Sequence, residues 1–360
     1  MAGAAPQGLL VTAGTVHLPF KSELLTTLSL PRFSRVPHLV GILATKKEDA
    51  RTYAEFARKA CEKIGIEFEL RSVGEAGAGI DGKGVGVDVE EAILVANDDK
   101  DVDGIMVYYP IYGGRQDQYL QSVVSPVKDV EGLHHQFLFN LYHNIRFISP
   151  ISLRPPTPPH TPIPSATRTN GRQDEAPEGT VKSVLPCTPL AVVKVLEHLG
   201  VYNGLLEYGD RARGKVITII NRSEVVGRPL AALLANDGSR VLSVDIDSIV
   251  EFSKRPSTSI GGKYNPHHVV TSTQLNLSQC LAISDVVISA VPSQTYKVAT
   301  RDLKDGCICV NVAGEKNFEA DVRERASMYV PSVGVMTICM LQRNLLRLCT
   351  YQDQAKRLPA

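Results

Sequence analysis

The stretch from Gly214 to Asp247 constrains the fold of this chain more than any other. Val216 to Ile220 is an unbroken run of β-formers, as a strand buried on both faces requires. The polar turn Asn221-Arg222-Ser223 follows. Gly227 and Pro229 then open an alanine- and leucine-rich segment that stops at Asn236-Asp237-Gly238, a strong helix terminator. Val241 to Val244 reads as the next strand, with Asp245 at its carboxyl end. The unit spans roughly 30 residues, the size of a βαβ dinucleotide-binding unit.

Such a unit has a physical use. Backbone N–H groups at the helix start, near Val226 and Gly227, can meet a pyrophosphate. An acid about 20 or more residues beyond the first turn can hydrogen-bond the adenine-ribose hydroxyls. A carboxylate there repels a 2′-phosphate, so Asp245 favours NAD over NADP. Arg222 argues the other way, because guanidinium also binds phosphate. Asn221 stands where the first glycine of a G-x-G-x-x-G fingerprint would be. At this point an ordinary βαβ unit, with Asp245 merely capping or solvating a strand end, stays open.

At 360 residues, two domains are expected. A hydrophobic content of 43% with 21% charged residues describes a soluble globular chain. The net charge of +1 gives no basic field for nucleic acid. No apolar run is long enough to span a bilayer. Met1 to Phe20 has neither the pattern of a secretory signal nor any arginine. Seven scattered cysteines without C-x-x-C point to reduced thiols in a cytoplasmic protein, with no zinc site.

Elsewhere, Leu39–Ala44, Ile66–Val73 and Gly104–Tyr109 read as strands. Thr15–Ser29, Lys46–Gly65, Val87–Asn97 and Gln116–Val124 read as helices. This alternation argues for a parallel sheet with helical covers. Eight of the 22 prolines fall between Pro150 and Pro177. Residues 150–182 are therefore expected to be a disordered insertion. Thr188 to Gly200 is expected as a helix, with Thr188 as N-cap and Pro189 at its first position. Arg255 to Gln279 reads as an excursion. The strands Asp285–Ala290 and Cys307–Val312 run into the small-residue turns Ala290-Val291-Pro292 and Val312-Ala313-Gly314, where nucleotide sites form. Met336 to Leu348 is a final apolar helix expected to fold back across both domains. His134-His135 tempts a metal reading, but adjacent residues of a strand point to opposite faces, so none is assigned.

Several short motifs, in order, carry a resemblance to a known family. They are Val40-Gly41-Ile42-Leu43; Tyr53 with Arg58-Lys59-Ala60-Cys61; Asp103 to Val107 before Pro110; Lys128-Asp129-Val130-Glu131-Gly132; Pro186-Cys187-Thr188-Pro189; Arg222 to Pro229; and Met336-Thr337. The chain resembles the methylenetetrahydrofolate dehydrogenases, including the bifunctional dehydrogenase/cyclohydrolases. The resemblance implies two α/β domains flanking a cleft. The first, 1–149, would bind folate and be joined by the helix 336–360. The second, 183–335, would be Rossmann-like with a mostly parallel sheet. It also implies a homodimer.

The departures point to one branch of that family. The bifunctional enzymes carry a lysine four residues after the helical tyrosine, on the same helix face. Here that position is Ala57. The lysine belongs to the hydrolytic step. The glutamine before the proline is Tyr108, the second acid is Glu131, and the turn glycine is Asn221. Asp245-Ile246-Asp247 replaces the 2′-phosphate pocket, and the glycine pair before the last helix has shrunk to Ser332. The resemblance therefore implies a monofunctional, NAD-dependent enzyme of one-carbon metabolism.

It also assigns residues. Tyr53 would pack along the aminobenzoyl part of folate, with Tyr108 and Thr337 also on the substrate. Glu131, in preference to Asp129, would partner the pterin. Cys187 would line the cleft. Arg222, Ser223, Val226, Gly227, Arg228, Asp245, Ile246, Ala290, Val291, Pro292, Val312 and Ala313 would surround the cofactor. Two other readings stay in play: another two-domain NAD-dependent dehydrogenase, and a non-catalytic NAD-binding regulatory protein.

Overall fold

The computed structural model describes residues 7–77, 89–153, 175–255 and 265–357. Its strands in chain order are β1 (Leu9–Leu10), β2 (His38–Leu43), β3 (Glu67–Ser72), β4 (Gly104–Val107), β5 (Phe147–Ile148), β6 (Val181–Lys182), β7 (Val216–Ile220), β8 (Arg240–Val244), β9 (Ile249–Ser253), β10 (Val269–Ser272), β11 (Val286–Ser289), β12 (Ile308–Asn311) and β13 (Met328–Val330).

The first domain is built on a parallel sheet in the order β3-β2-β4. Residues Val40, Ile42, Ile105 and Val107 fill the core on one side, against the helix Val89–Asp98. Gly41 is required by packing: a Cβ there would lie 2.7 Å from Cζ of Phe68 and 3.3 Å from the Tyr108 ring. The segment after Pro126 extends the sheet through an Ile105–Asp129 bridge. Just before it, Lys128 is buried, with Nζ donating to the carbonyls of Ala96, Asn97 and Asp99 at 2.9, 2.7 and 2.5 Å. It thereby satisfies the orphan carbonyls at the end of the helix Val89–Asp98.

The second domain is an eight-stranded sheet in the order β1-β13-β12-β11-β7-β8-β9-β10. Six strands, β1 to β8 in that order, are parallel, and β9 and β10 are antiparallel at the edge. The expected βαβ unit is present as β7, the helix Gly227–Asn236 and β8, almost wholly buried.

Several expectations change. Leu9–Leu10 belongs to the sheet of the second domain, not the first: β1 lies parallel to β13, and Arg323 Nε donates to the Gly8 carbonyl at 2.7 Å. The helix expected over Thr15–Ser29 is two, Ala13–Val16 and Leu18–Leu28, divided near Pro19, which cannot donate a backbone bond. Of the proposed insertion, residues 154–174 lie outside the described residues. Its flanks belong to the fold: Pro150–Leu153 is a 3-10 turn with Leu153 buried, and β6 pairs with β5. The excursion after Arg255 holds β10 and the helix Leu277–Ile283, which starts with a capping box of Asn276 and Gln279, while residues 256–264 fall outside the described residues. His134 and His135 are not in a strand. They open the helix His135–Tyr142, and their ring centroids lie 4.1 Å apart. Among the described residues no group of His, Cys, Asp or Glu is arranged to hold a metal.

The final helix runs longer than expected, from Gly334 to Arg357. It packs on the helix Cys187–His198 of the second domain and on Leu18–Leu28 of the first. Gln352 Nε2 also reaches the Val127 carbonyl at 2.8 Å. No helix is long and apolar enough to cross a membrane among the described residues.

Candidate active site

The site is built around the segment Lys128 to Gly132, which bends directly beneath the helix Cys187–His198. Gly132 has φ +71, and a Cβ on it would fall 2.6 Å from the Leu185 carbonyl. Only glycine fits that close, left-handed position. The Cys187 N–H donates to the Glu131 carbonyl at 2.9 Å. Asn344, from the final helix, pins both segments by donating to the carbonyls of Val130 at 2.9 Å and Leu185 at 3.0 Å. Sequence reading missed Asn344, which follows Gln342 and Arg343 in a polar run and so carries no local mark of a buried amide.

Two acids flank this bend. Asp129 is 3% exposed, and its carboxylate accepts the N–H groups of Glu131, Gly132 and His134 at 3.1, 2.9 and 2.7 Å. Burial pushes it up to about 6 despite those bonds. Among the described residues Glu131 accepts one N–H, from Val107 at 2.8 Å. Burial raises its carboxyl to about 8, and the neighbouring Asp129 adds to the shift.

Tyr53 and Tyr108 lie beside Glu131. Their rings meet edge to face, 6.2 Å apart at 85°. Burial first, then the nearness of Cys187, Tyr108 and Glu131, holds the Tyr53 phenol well above its ordinary value. These groups therefore share one space. The Tyr108 hydroxyl is buried without a hydrogen-bond partner among the described residues. Ala57, one helical turn beyond Tyr53, is 1% exposed and brings no charge. Burial also drives the Cys187 thiol up, away from thiolate chemistry. The helix there starts at Cys187 with Pro186 in the N-cap position, so Thr188 is not its cap. Thr337 is buried, and its hydroxyl turns back on the Val333 carbonyl of its own segment at 3.4 Å.

The second half of the site lies at the carboxyl ends of β7, β8, β11 and β12. The chain runs from β7 to β8 on one side and β11 lies on the other, so a crevice opens at this switch point. Asn221 forms its floor. Its φ is +84, a conformation asparagine tolerates better than other non-glycine residues, which explains its place in the glycine position. Its side chain donates to the Ala290 carbonyl and accepts the Ser223 N–H, both at 2.9 Å. Two further asparagines, unsuspected from sequence, shape the neighbouring turns. Asn317 accepts the Val291 N–H and donates to its carbonyl, both at 3.0 Å. Asn311 donates to the Ala313 carbonyl at 2.9 Å. Val312 stays in the ladder through Ser289, and Pro292 is exposed at the turn.

Several of the residues expected at the cofactor have partners within the chain. The Val226 and Gly227 N–H groups already face Ser223 Oγ, at 3.3 and 3.4 Å. Arg222 is turned toward β8 and Ser248 and is engaged there. Arg228 pairs with Glu224 at 2.8 Å and lies 5.0 Å over the Tyr142 ring of the first domain, so it bridges the domains. Asp245 is exposed at the end of β8, next to the Asn221 turn, whose N–H bonds the Val244 carbonyl at 2.9 Å. Ile246 beside it is 96% exposed.

A cluster of buried acids and tyrosines on one α/β half and a strand-switch crevice on the other make this a two-domain α/β protein of the dehydrogenase type. The comparisons narrow the class. Residues 14–131 match the family model "Tetrahydrofolate dehydrogenase/cyclohydrolase, catalytic domain". The chain is 45% identical over 343 residues to the methylenetetrahydrofolate dehydrogenase [NAD(+)] of Schizosaccharomyces pombe, covering 95% of this chain and 93% of the relative. It is 44% identical to the Saccharomyces cerevisiae protein of the same name, over 89% of this chain and 88% of that one. The solved structure of the NAD-dependent 5,10-methylenetetrahydrofolate dehydrogenase from Saccharomyces cerevisiae aligns with a TM-score of 0.81 at 40% identity, covering 98% of this chain and all of that one. The chain belongs to the tetrahydrofolate dehydrogenase/cyclohydrolase family.

Proposed function

We propose that this protein oxidises 5,10-methylenetetrahydrofolate to 5,10-methenyltetrahydrofolate with NAD, without the cyclohydrolase step. The relatives' names support the reaction and the cofactor. The placement of Asp245 beside the Asn221 turn carries the choice of NAD, because a carboxylate there accepts ribose hydroxyls and repels a 2′-phosphate. Close packing of the helix start supports the reading: a Cβ on Gly227 would fall 1.8 Å from the Asn221 carbonyl oxygen, so the helix start lies flush against the turn at the strand end where dinucleotides bind. The Ser223 hydroxyl, set over the helix start, would hold the pyrophosphate, Asp245 and Ile246 the adenosine half, and the turns at Ala290–Pro292 and Val312–Ala313 the nicotinamide half. When bound, NAD supplies the hydride acceptor.

The chain's own task is then positional. Tyr53 and Tyr108 present apolar faces to the flat folate. Glu131, held near neutrality by burial, has one oxygen engaged by Val107 and one free to hydrogen-bond the pterin. Loss of hydride leaves a cation shared by the folate's two nitrogens, so no protein base is needed and orientation dominates. Hydrolysis of the product needs an activated water and a mobile proton. Ala57 supplies neither, which supports a dehydrogenase that stops at the methenyl compound. Seven unpaired thiols, six of them buried, are consistent with a cytoplasmic enzyme. We propose a homodimer on the family resemblance alone.

The test is a parallel assay of methylenetetrahydrofolate oxidation with NAD and with NADP. The expected result is a clear preference for NAD and a build-up of the methenyl product. Formyltetrahydrofolate forming faster than spontaneous hydrolysis would remove the monofunctional part. NAD binding without turnover would favour a regulatory protein.

A further inference from the structure

Arg222 leaves the end of β7 and crosses to the hairpin joining β8 and β9. Its Nε donates to Ser243 Oγ at 3.0 Å, and its Nη1 to Ser248 Oγ at 3.0 Å. Its Nη2 donates to the carbonyls of Ser243 at 2.7 Å and Ser248 at 2.9 Å. A guanidinium has five N–H donors, so these four bonds leave one, on Nη1. The Ser248 carbonyl also accepts the Asp245 N–H at 2.9 Å, so one oxygen ties the arginine and the acid together. Asp245 Oδ1 in turn accepts the Ile246 N–H at 3.0 Å, which orients the carboxylate and leaves its second oxygen open.

We propose that Arg222 is a positioning residue for cofactor selectivity: it straps the Asp245–Ser248 turn to β7 so that Asp245 is aimed at the adenine-ribose hydroxyls. The proposal rests on the NAD reading above and adds to it. Residues 245 to 248 are all exposed, so beyond the Asp245 N–H to Ser248 carbonyl bond and the β8–β9 ladder that flanks it, the arginine supplies the turn's tie to β7. The inward end of the strap is firm: Ser243 is 0% exposed, so no solvent replaces the arginine there. The same geometry takes Arg222 out of competition for a 2′-phosphate. A two-pronged grip on phosphate needs two donors on one edge of the fork. One remaining N–H cannot provide it unless the bond to Ser248 breaks. Selectivity then has two parts: a carboxylate that repels phosphate, and an arginine already bound to two serines.

A double-mutant cycle in the full-length enzyme tests this, read as the KM for NAD. Arg222→Ala and Asp245→Ala are each expected to raise that KM about tenfold, a 1.4 kcal/mol effect, with the KM for methylenetetrahydrofolate unchanged. The double variant should be no worse than the poorer single, because Arg222 acts through Asp245. Arg222→Lys, which keeps the charge and loses the fork, should resemble Arg222→Ala. Ser248→Ala removes one acceptor without touching charge, and should raise the KM in the wild-type background but not beside Asp245→Ala. It also guards against a poorly folded Arg222→Ala.

Multiplying effects in the double variant, or full rescue by lysine, would mean that Arg222 touches the cofactor directly, and the proposal would fall while the NAD reading stood. A loss of NADP use when Arg222→Ala is added to Asp245→Ala would also overturn it, by making the arginine a phosphate ligand. An unchanged KM for NAD in Asp245→Ala alone would instead sink the reading of Asp245, and this inference with it.

Discussion

Asp129 and Glu131 stand two positions apart in one bend, yet among the described residues three backbone N–H groups converge on the carboxylate of the first and one on that of the second. Asp129 is thereby consumed in holding the turn, while Glu131 keeps an oxygen for a ligand.

This difference predicts a pH signature. The folded pKa of Glu131, about 8, lies above the ordinary value of 4.5. The folded state therefore holds a proton that the unfolded state has released, and stability falls as pH rises between those values. The slope is at most about 1.4 kcal/mol per unit. Glu131→Gln keeps an acceptor for the Val107 N–H and cannot ionise. Its melting temperature should gain on the wild type steadily from about pH 5 to about pH 8. Parallel curves would show Glu131 to be an ordinary solvated acid.

How much of this was legible beforehand follows the range of the signals. The β7–β8 unit could be read because its signals are local: a β-branched run, a helix punctuated by Gly227 and Gly238, and a strand of four buried residues. The polar edge strand β10 could not, because half of its residues are exposed and no apolar alternation sets it apart from a loop. β1 was missed for another reason: two residues pair with a strand more than 300 positions away, and nothing local announces that partner. Types of site residue were visible, but partners were not. Arg222 and Arg228 carried the right charge for a phosphate. Only coordinates reveal that Ser243, Ser248, Glu224 and Tyr142 already engage them.

Gly227 should be intolerant of any side chain. The obstacle is backbone: a Cβ at this position would stand 1.8 Å from the Asn221 carbonyl oxygen and 3.0 Å from the Arg222 Cα, so rotamer changes cannot relieve it. Gly227→Ala should cost about 1–3 kcal/mol of stability. It should also weaken NAD binding more than folate binding, because the displaced turn belongs to the crevice. Calorimetric titration with each ligand would show the split, and equal losses for both would refute it.

Arg146 and Asp237 join the two domains away from the pocket. Arg146 Nη2 lies 2.7 Å from Asp237 Oδ1, and the guanidinium sits 4.7 Å above the Tyr208 ring. The other carboxylate oxygen accepts the Tyr202 hydroxyl at 2.9 Å. Arg146→Ala leaves that acid buried without its cation, which costs about 3–5 kcal/mol. Lysine lacks the planar fork and should recover only part of the loss. Urea midpoints of the two variants measure it, and full recovery by lysine would reduce the site to simple charge pairing.

His268 predicts the opposite response to acid. Its ring stacks on Phe252 at 5.3 Å, and Nδ1 lies 3.2 Å from Asn236 Oδ1. Burial first, then the nearby His267, Arg228 and His143, lowers its pKa to about 4. The unfolded chain takes up a proton below about 6.5 that the folded ring refuses. Its contribution is therefore complete above that value and is lost as pH falls toward 4, by about 3 kcal/mol at most. His134, lowered to about 4 mainly by burial, acts in the same direction. His268→Gln keeps a hydrogen-bonding group beside Asn236 but does not titrate. At about pH 7 it should be less stable than the wild type, for want of the stacked ring. The gap should narrow on acidification to about pH 5, because only the wild type then meets the protonation penalty. Denaturation midpoints followed across that range decide the matter: a gap that stays constant would mean that the ring takes its proton inside the fold, with solvent reaching it between the domains.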